Sequence, residues 1–458
     1  MRAWTGLISL SLLVILTGCP SNAPAPIPPA PKTPPTGNPA TTETSETKPG
    51  AAAQTEEPAE VPDDPMAVEF LTKRGAKLTI DEDKVVTDVN LSEESLDKVD
   101  DANEVFAAIG KLPNVQKLQA YGPEIRNEQL AKISGLKELR ELQLINSNIN
   151  DGGLDHLLGM TNLQYLYLRR ANITDEGLEK LTVLVNLQLL DLRFTNVTNA
   201  GMTPVSKLPK LRALLLEATK VGDAGLAPLT NLKGLMKLNL WGELFTNAAA
   251  EQIQRMTNLE ILELDDTRVK DEGLLQLAGL TKMRELSLVR TRITNAGLVA
   301  LKGMKQMQVL QLRDTMSTDP GLENIAGMTN LKKLDLSEGI YGDDGMKHLA
   351  GLKNLEELKL WKVTINNEGL TPIVGLTKLK KLDLAESRIN DDGVKMLKPL
   401  TELEELNLSI TEISPATLEF LPEFKKLKKL TINNCIQISG DAKAALQTAM
   451  PKLVIVGP

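Results

Sequence analysis

The side chains with the most reactive chemistry in this chain are few and scattered. His156 and His348 are its only histidines, and Cys19 and Cys435 its only cysteines. Acid–base or nucleophilic catalysis needs convergent groups, and a zinc site needs several ligands at one point. Neither constellation can be assembled from these four residues. The glycines form no GxGxxG or phosphate loop. Asp265 and Asp266 make one local acidic pair, and a calcium role for them is the weaker reading, since calcium takes six to eight oxygens. No metal, no cofactor and no enzymatic activity are expected. What remains is recognition chemistry, carried by arginines and aromatics in a chain with only 3% aromatic residues.

Those residues recur at multiples of 24. Tyr121, Arg169, Arg193, Trp241, Arg313 and Trp361 share one column, with Asp265 in the same column. Tyr165, Leu189 and Ile261 share a second, Tyr167 and Leu215 a third, and Arg170 and Phe194 flank them. Trp, Tyr and Arg dominate binding hot spots because they bury much area at modest entropic cost.

The elements that position these columns repeat with the same period. Leu139, Leu163, Leu187, Leu211, Leu235, Leu259, Met283, Met307, Leu331, Leu355, Leu379, Leu403 and Leu427 follow one another at 24 residues, and Val115 extends the series backwards. A fixed period of this size is the signature of a stacked array. Within one unit, Leu163, Leu166 and Leu168 end in a period-two step that suits a short strand, while Leu178, Leu181 and Leu184 suit one helical face. Between them stands a helix start: Asn150, Thr174, Thr198, Thr246, Thr294, Thr318, Asn366, Asn390 and Ser414 are capping residues. The next position is usually acidic, as in Asp151, Asp175 and Asp391, which suits the positive end of a helix dipole. Gly153, Gly177, Gly201 and their successors open each helix, where close packing of adjacent turns accounts for them.

The pattern LxxLxL followed by TxITDxGLxxL resembles the leucine-rich-repeat family, in the variants with a helix on the convex side. The resemblance covers Val86 to about Val456. It implies an α/β solenoid with a parallel concave sheet and short convex helices. The family's usual turn asparagine is replaced here by Ser147, Thr195, Thr219, Thr267, Thr291, Thr315, Ser387, Thr411 and Cys435. A hydroxyl serves part of the same backbone-bonding role. Ala171, Glu243, Gly339 and Val363 interrupt that ladder, so less regular turns are expected there. One unit cannot bury its own apolar face, but a stack can. Strand alternation then turns the leucines inward and the arginine–aromatic columns toward the concave solvent side, most densely over Tyr165–Trp241. The competing reading is that these side chains only pack on one another across neighbouring strands. Trp241→Ala or Arg193→Ala is expected to abolish partner capture with little change in melting temperature. His156 and His348 fall at one helical position of units eight repeats apart, on the outer face, and Cys435 reads as a buried small residue.

The first residues have another composition. Arg2 precedes the apolar run Leu7–Leu16, which is too short to span a bilayer of about 30 Å. The run ends in Leu16-Thr17-Gly18-Cys19. This resembles the lipobox of bacterial lipoproteins, and the resemblance implies cleavage before Cys19 and acylation of its sulfur. Acyl chains on Cys19 would be the only membrane anchor. Of the 46 residues from Pro20 to Pro65, thirteen are proline. Such a segment buries too little apolar surface to order itself and reads as a tether. A net charge of −8 argues against nucleic acid as a partner.

The sequence thus divides into a signal peptide (1–19), a tether (20–65), an N-terminal cap with a first long repeat (66–114), thirteen 24-residue repeats (115–426), and a last repeat with its C-terminal cap (427–458). The expected function is protein or peptide binding through the concave face of an exported, lipid-anchored protein, periplasmic or at the cell surface. Glycan stacking on Trp241 or Trp361 is a less favoured ligand mode. A structural spacer of the cell envelope is the alternative function. An F-box-like adaptor is a third, disfavoured because residues 66–114 hold no convincing F-box helix.

Overall fold

Leucines two residues apart, repeated every 24, are met in the computed structural model by strands of three to five residues in parallel register. The structure describes residues 62–91 and 99–457, all within a single unit. The signal-peptide and tether assignments, Cys19 included, lie outside the described residues apart from the tether's last four, 62–65.

Seventeen described strands form one sheet in chain order. The first pair, Lys77–Ile80 and Val86–Asn90, is antiparallel. Every later pair is parallel, and each register partner from Lys117 to Lys429 lies 24 residues on, as in Tyr165↔Leu189↔Ala213↔Lys237. The terminal strand Val454–Val456 follows at 25 residues. The leucine series is buried without exception: Leu163, Leu166 and Leu168 each have 0% exposure, as do Leu187, Leu190 and Leu192. Short α and 3-10 segments return the chain along the other side. Longer helices stand near the ends, at Pro65–Lys73, Val99–Ile109 and Gly440–Ala449. Asp64 caps the first of these.

Two ladders lock one coil to the next, and both differ from the sequence expectation. The residue after each helix cap is Asp or Asn from Asn127 to Asn367 and on to Asp391. Its side chain reaches forward to the following coil. Asp151 Oδ1 accepts from the backbone N–H of Thr174 at 2.9 Å while Oδ2 accepts from the Thr174 hydroxyl at 2.6 Å. The same forward bond recurs at twelve consecutive positions. These side chains satisfy a cap N–H of the neighbouring helix rather than serving only their own dipole. The period-24 glycines are their counterpart. A Cβ on Gly177 would stand 2.3 Å from Asp151 Oδ1, and one on Gly393 would stand 2.2 Å from Asn367 Oδ1. The second ladder concerns the turn hydroxyls. Ser147, Thr195, Thr267, Thr291 and Ser387 each donate to the carbonyl three residues back in their own turn. Bonding of neighbouring coils falls instead to Asn162, Asn186, Asn258, Asn330 and Asn354, which donate to carbonyls of the coil before. Cys435 is the exception in the hydroxyl column: it is buried, and its thiol lies 3.0 Å from the carbonyl of Leu408 in the preceding coil.

The irregular turn at Gly339 has a packing cause. Tyr341 occupies the place taken by Ile or Val in most coils, and its hydroxyl bonds Ser317 at 2.5 Å, with Thr315 next in the chain of bonds at 2.9 Å. All three are buried. Ser317 is the small partner that makes room, and any Cβ on Gly339 would stand 2.2 Å from the Tyr341 ring.

Candidate binding face

One residue per coil takes a left-handed backbone just beyond the strand. They include Arg170 (φ 60°), Phe194 (φ 58°), Asp266, Arg290, Lys362, Glu386 and Ile410 (φ 54°), with Gly122 and Gly242 the glycines of the series. Side chains other than glycine and asparagine resist this region. The backbone gains a hydrogen bond to the next coil in return: Arg170 N–H donates to Arg193 O at 2.9 Å, and Phe194 N–H to Glu217 O at 2.8 Å. The turn therefore sets Arg170 and Phe194 beside the arginine–aromatic column, on neighbouring coils.

The strands from Tyr165 to Glu263 carry the densest cluster. Arg193 forms a two-pronged pair with Asp191, Nε to Oδ1 at 2.9 Å and an NH2 bond to Oδ2 at 2.7 Å. Asp191 is fully buried, and the Arg193 side chain is 12% exposed. Glu217 stands 3.8 Å from the same guanidinium. Burial pulls against the charge on Arg193, but the bond and the charge of Asp191 prevail and raise its pKa. Burial raises the Glu217 carboxyl, against the pull of Arg193 and Arg169. Lys237, equally buried, pairs with Glu263 at 3.0 Å, and Glu263 accepts from Asn239 at 2.6 Å. Arg169 and Arg170 instead place their guanidinium carbons 5.1 and 5.0 Å from the Phe194 ring centre. Tyr165 and Trp241 are half-buried.

Four members of the expected face do not meet open solvent. Leu215 is 1% exposed and Tyr167 9%, and Leu189 and Ile261 are buried with them. Strands some 4.8 Å apart bring register neighbours into contact. Leu215 lies between Asp191 and Asn239, whose polar networks flank it. Burial likewise lifts the pKa of the Tyr167 phenol. These side chains help floor the cluster, and the arginines, Tyr165 and Trp241 are its accessible members. Arg193 in turn is a structural residue as well as a surface one, because removing it strands the buried Asp191.

The remaining predicted residues are spread along the sheet. Tyr121 is half-buried and its hydroxyl donates to Gln143 at 2.9 Å. Asp265 accepts from the Ser287 hydroxyl and, at 2.9 Å, from the Val289 N–H. Burial pushes its pKa up to about 6. Arg313 and Trp361, two strands apart, meet over the small Ser337, with the guanidinium carbon 5.0 Å from the ring centre. Glu338 bonds Arg313 at 3.1 Å, and Glu386 accepts from the indole N–H at 2.9 Å. Sequence reasoning missed the region beyond. Lys333, Glu357, Lys381, Glu405 and Lys429 alternate in charge along one column, with Asp335, Lys359 and Asp383 beside them. From Glu357 to Thr431 these columns line an open depression of about 200 Å³. The alternation was visible at the 24-residue period, but a column of solvated charges gives no hot-spot signal.

His156 and His348 both lie on convex 3-10 segments, far apart in the coil order. Among the described residues no cluster of three or more His, Cys, Asp or Glu is arranged to hold a metal ion, and no helix is long and apolar enough to cross a membrane.

The model of the leucine-rich repeat region matches residues 114–372, and a further leucine-rich-repeat model matches 375–398. No curated protein matches the chain. Among solved structures, an internalin (inlF) from Listeria monocytogenes is 24% identical with a TM-score of 0.52, the alignment covering 72% of this chain and 88% of that one. A leucine-rich-repeat protein from Leptospira interrogans is 19% identical with a TM-score of 0.50, covering 76% and 91%. Both likenesses are of fold. With more than half of its length matched by the repeat model and its coils stacked in register, the chain belongs to the leucine-rich-repeat family.

Proposed function

We propose that this protein is a non-catalytic binding module, exported and held to a membrane by acyl chains on Cys19, that captures a protein partner on its concave face between Tyr165 and Trp241. The observation that carries the reading is the arginine–aromatic cluster on four consecutive strands, in a chain otherwise poor in aromatics. Membership of a repeat family whose arrays commonly bind proteins supports it, as does the absence of a convergent reactive cluster in the sequence. The anchor and the export route rest on the residues around Cys19.

The test is capture of partners from an envelope extract by the full chain, beside its Trp241→Ala and Trp361→Ala versions. Loss of the captured protein with Trp241→Ala but not with Trp361→Ala is the expected result. Equal capture by all three overturns it. Self-association in solution that ignores Trp241 favours the spacer reading instead.

A further inference from the structure

Arg169 is the residue in this cluster whose environment is unfinished. Its Nε is buried and has no hydrogen-bond partner. Neither Arg169 nor Arg170 forms an ion pair among the described residues, whereas Arg193, Arg290 and Arg313 near the same strand ends pair with Asp191, Asp266 and Glu338. Arg169 and Arg170 are stacked on the one ring of Phe194, so two like charges are held together by an aromatic face. Burial and the neighbouring charges of Arg193 and Arg170 act against the cation on Arg169, and they outweigh the pull of Glu217 and Asp191, whose carboxylates are both engaged with Arg193. A buried guanidinium donor without an acceptor is costly. The nearby Glu217 and Asp191 act on it only through space, since no hydrogen bond or ion pair joins either to Arg169.

We infer that Arg169, with Arg170 and Phe194, forms a receptor for a carboxylate on the protein partner, borne next to an apolar group. A carboxylate supplies what the site lacks. It is planar, accepts two parallel N–H bonds from a guanidinium, and brings the opposite charge. Stacking on Phe194 fixes the plane of the fork in advance, so little freedom is lost on binding. Half-buried Tyr165 and Trp241 offer the apolar neighbour its contact area. The carboxylate is either a chain terminus or an acidic side chain. This inference rests on the concave-face reading and narrows its ligand.

The experiment uses the full chain labelled with 15N at arginine and three probes: N-acetylphenylalanine, its amide, and N-acetylaspartylphenylalanine amide. The expected result is a shift of the Arg169 Nε–H resonance with at least one carboxylate probe, and binding of N-acetylphenylalanine amide weaker by about tenfold or more. The first probe reports a terminal carboxylate and the third a side-chain one. Arg169→Gln should lose the preference for the acid, Arg169→Lys should keep only part of it, and Arg255→Gln, exposed on the convex side, should keep all of it. Equal binding of acid and amide overturns the inference, and so does an unchanged preference in a folded Arg169→Gln. If that variant does not fold, the comparison of acid and amide on the native chain still decides. Loss of capture with Trp241→Ala alongside equal binding of acid and amide would leave the concave reading standing and remove this one. Retained capture with Trp241→Ala alongside an acid preference would leave a carboxylate site at Arg169 and remove the capture reading centred on Trp241.

Discussion

The two halves of the concave sheet share a backbone and a register but treat charge in opposite ways. Between Tyr165 and Glu263, ionic groups are sunk into the sheet: Asp191 is fully buried and Lys237 nearly so, each matched by a specific partner. Between Lys333 and Thr431, lysines stand exposed in a checkerboard with half-buried carboxylates, at 3.9 Å for Lys333–Glu357 and 3.3 Å for Lys359–Glu357. A solvated pair gains little over its separately hydrated ions. A desolvated one becomes dependent on its partner, because losing it leaves a bare charge. The first half is thus committed to one arrangement, while the second is a polar surface whose charges stay hydrated.

The largest effect that separates the halves is expected from breaking a pair in each. Arg193→Ala should destabilise the array by about 3–5 kcal/mol, since it abandons the buried carboxylate of Asp191. Lys381→Ala, which frees Glu405 at the surface, should cost less than about 1 kcal/mol. Urea midpoints, with hydrogen exchange of the strand amides to locate the loss, measure both. Similar costs at the two sites would erase the contrast. The low tolerance at Arg193 also means that lost partner capture by its alanine variant would not separate binding from folding.

The convex side provides a control, because its forward ladder is the same in both halves. Gly177→Ala and Gly393→Ala each drive a methyl into the carboxamide or carboxylate oxygen of the previous coil. Overpacking of this kind costs about 1–3 kcal/mol, and the two should agree with each other. In the double variant Asp151→Gly with Gly177→Ala, the carboxylate clash is gone and only the flexible end of Leu154, 2.9 Å away, has to yield, so the combined loss should fall short of the sum. Additive losses would show that the glycine is needed for a reason other than the aspartate.

These contrasts mark how far the sequence could be read. The strand leucines, the coil period and the columns were legible because burial on one face dictates them residue by residue. The forward bond of Asp151 was not, because an acidic residue after a cap already has a local explanation in its own helix. The left-handed positions were invisible for a different reason. Arg170, Phe194, Glu386 and Ile410 have side chains that disfavour that backbone, and only the scattered Gly122, Gly242, Asn146, Asn434, Asp266 and Asp314 hinted at it. The coupled change of Ser317, Gly339 and Tyr341 could have been found by comparing columns, since a larger residue in one coil faces a smaller one in the coil before.

Asp265, between the halves, and Glu404, in the second, respond to pH with opposite signs. Its folded-state pKa is about 6 against an ordinary 3.8. The folded state therefore holds its proton longer than the unfolded chain. Stability is unaffected below about pH 4, falls as pH rises through the interval to about 6, and stays lower above it, by roughly 3 kcal/mol. Glu404 in the other half is held low chiefly by its bond to Lys428. Its small contribution is present above the ordinary glutamate pKa and is lost as pH falls through the depressed one. Asp265→Asn should raise the melting temperature at pH 7 and leave it nearly unchanged at pH 4. A gain of equal size at both pH values would assign the effect to packing rather than to charge.

The smallest effect tests whether the left-handed turn is used differently in the two halves. Ile410 is a β-branched residue at φ 54°, 47% exposed, and its backbone N–H donates to Asn433 O at 2.9 Å. Ile410→Asn keeps that bond, removes branching at a position that opposes it, and sacrifices little buried surface. It should stabilise the protein by about 1 kcal/mol. Phe194 has the same backbone at φ 58°, but its ring carries the stacked Arg169 and Arg170. Phe194→Asn relieves the same strain and releases both guanidinium groups, so it should gain nothing in stability and should lose the preference for the acid probe. If both variants gain equally and the acid preference survives Phe194→Asn, the ring is only a passenger at a strained turn, and the cluster around it has no greater claim to function than the checkerboard beyond.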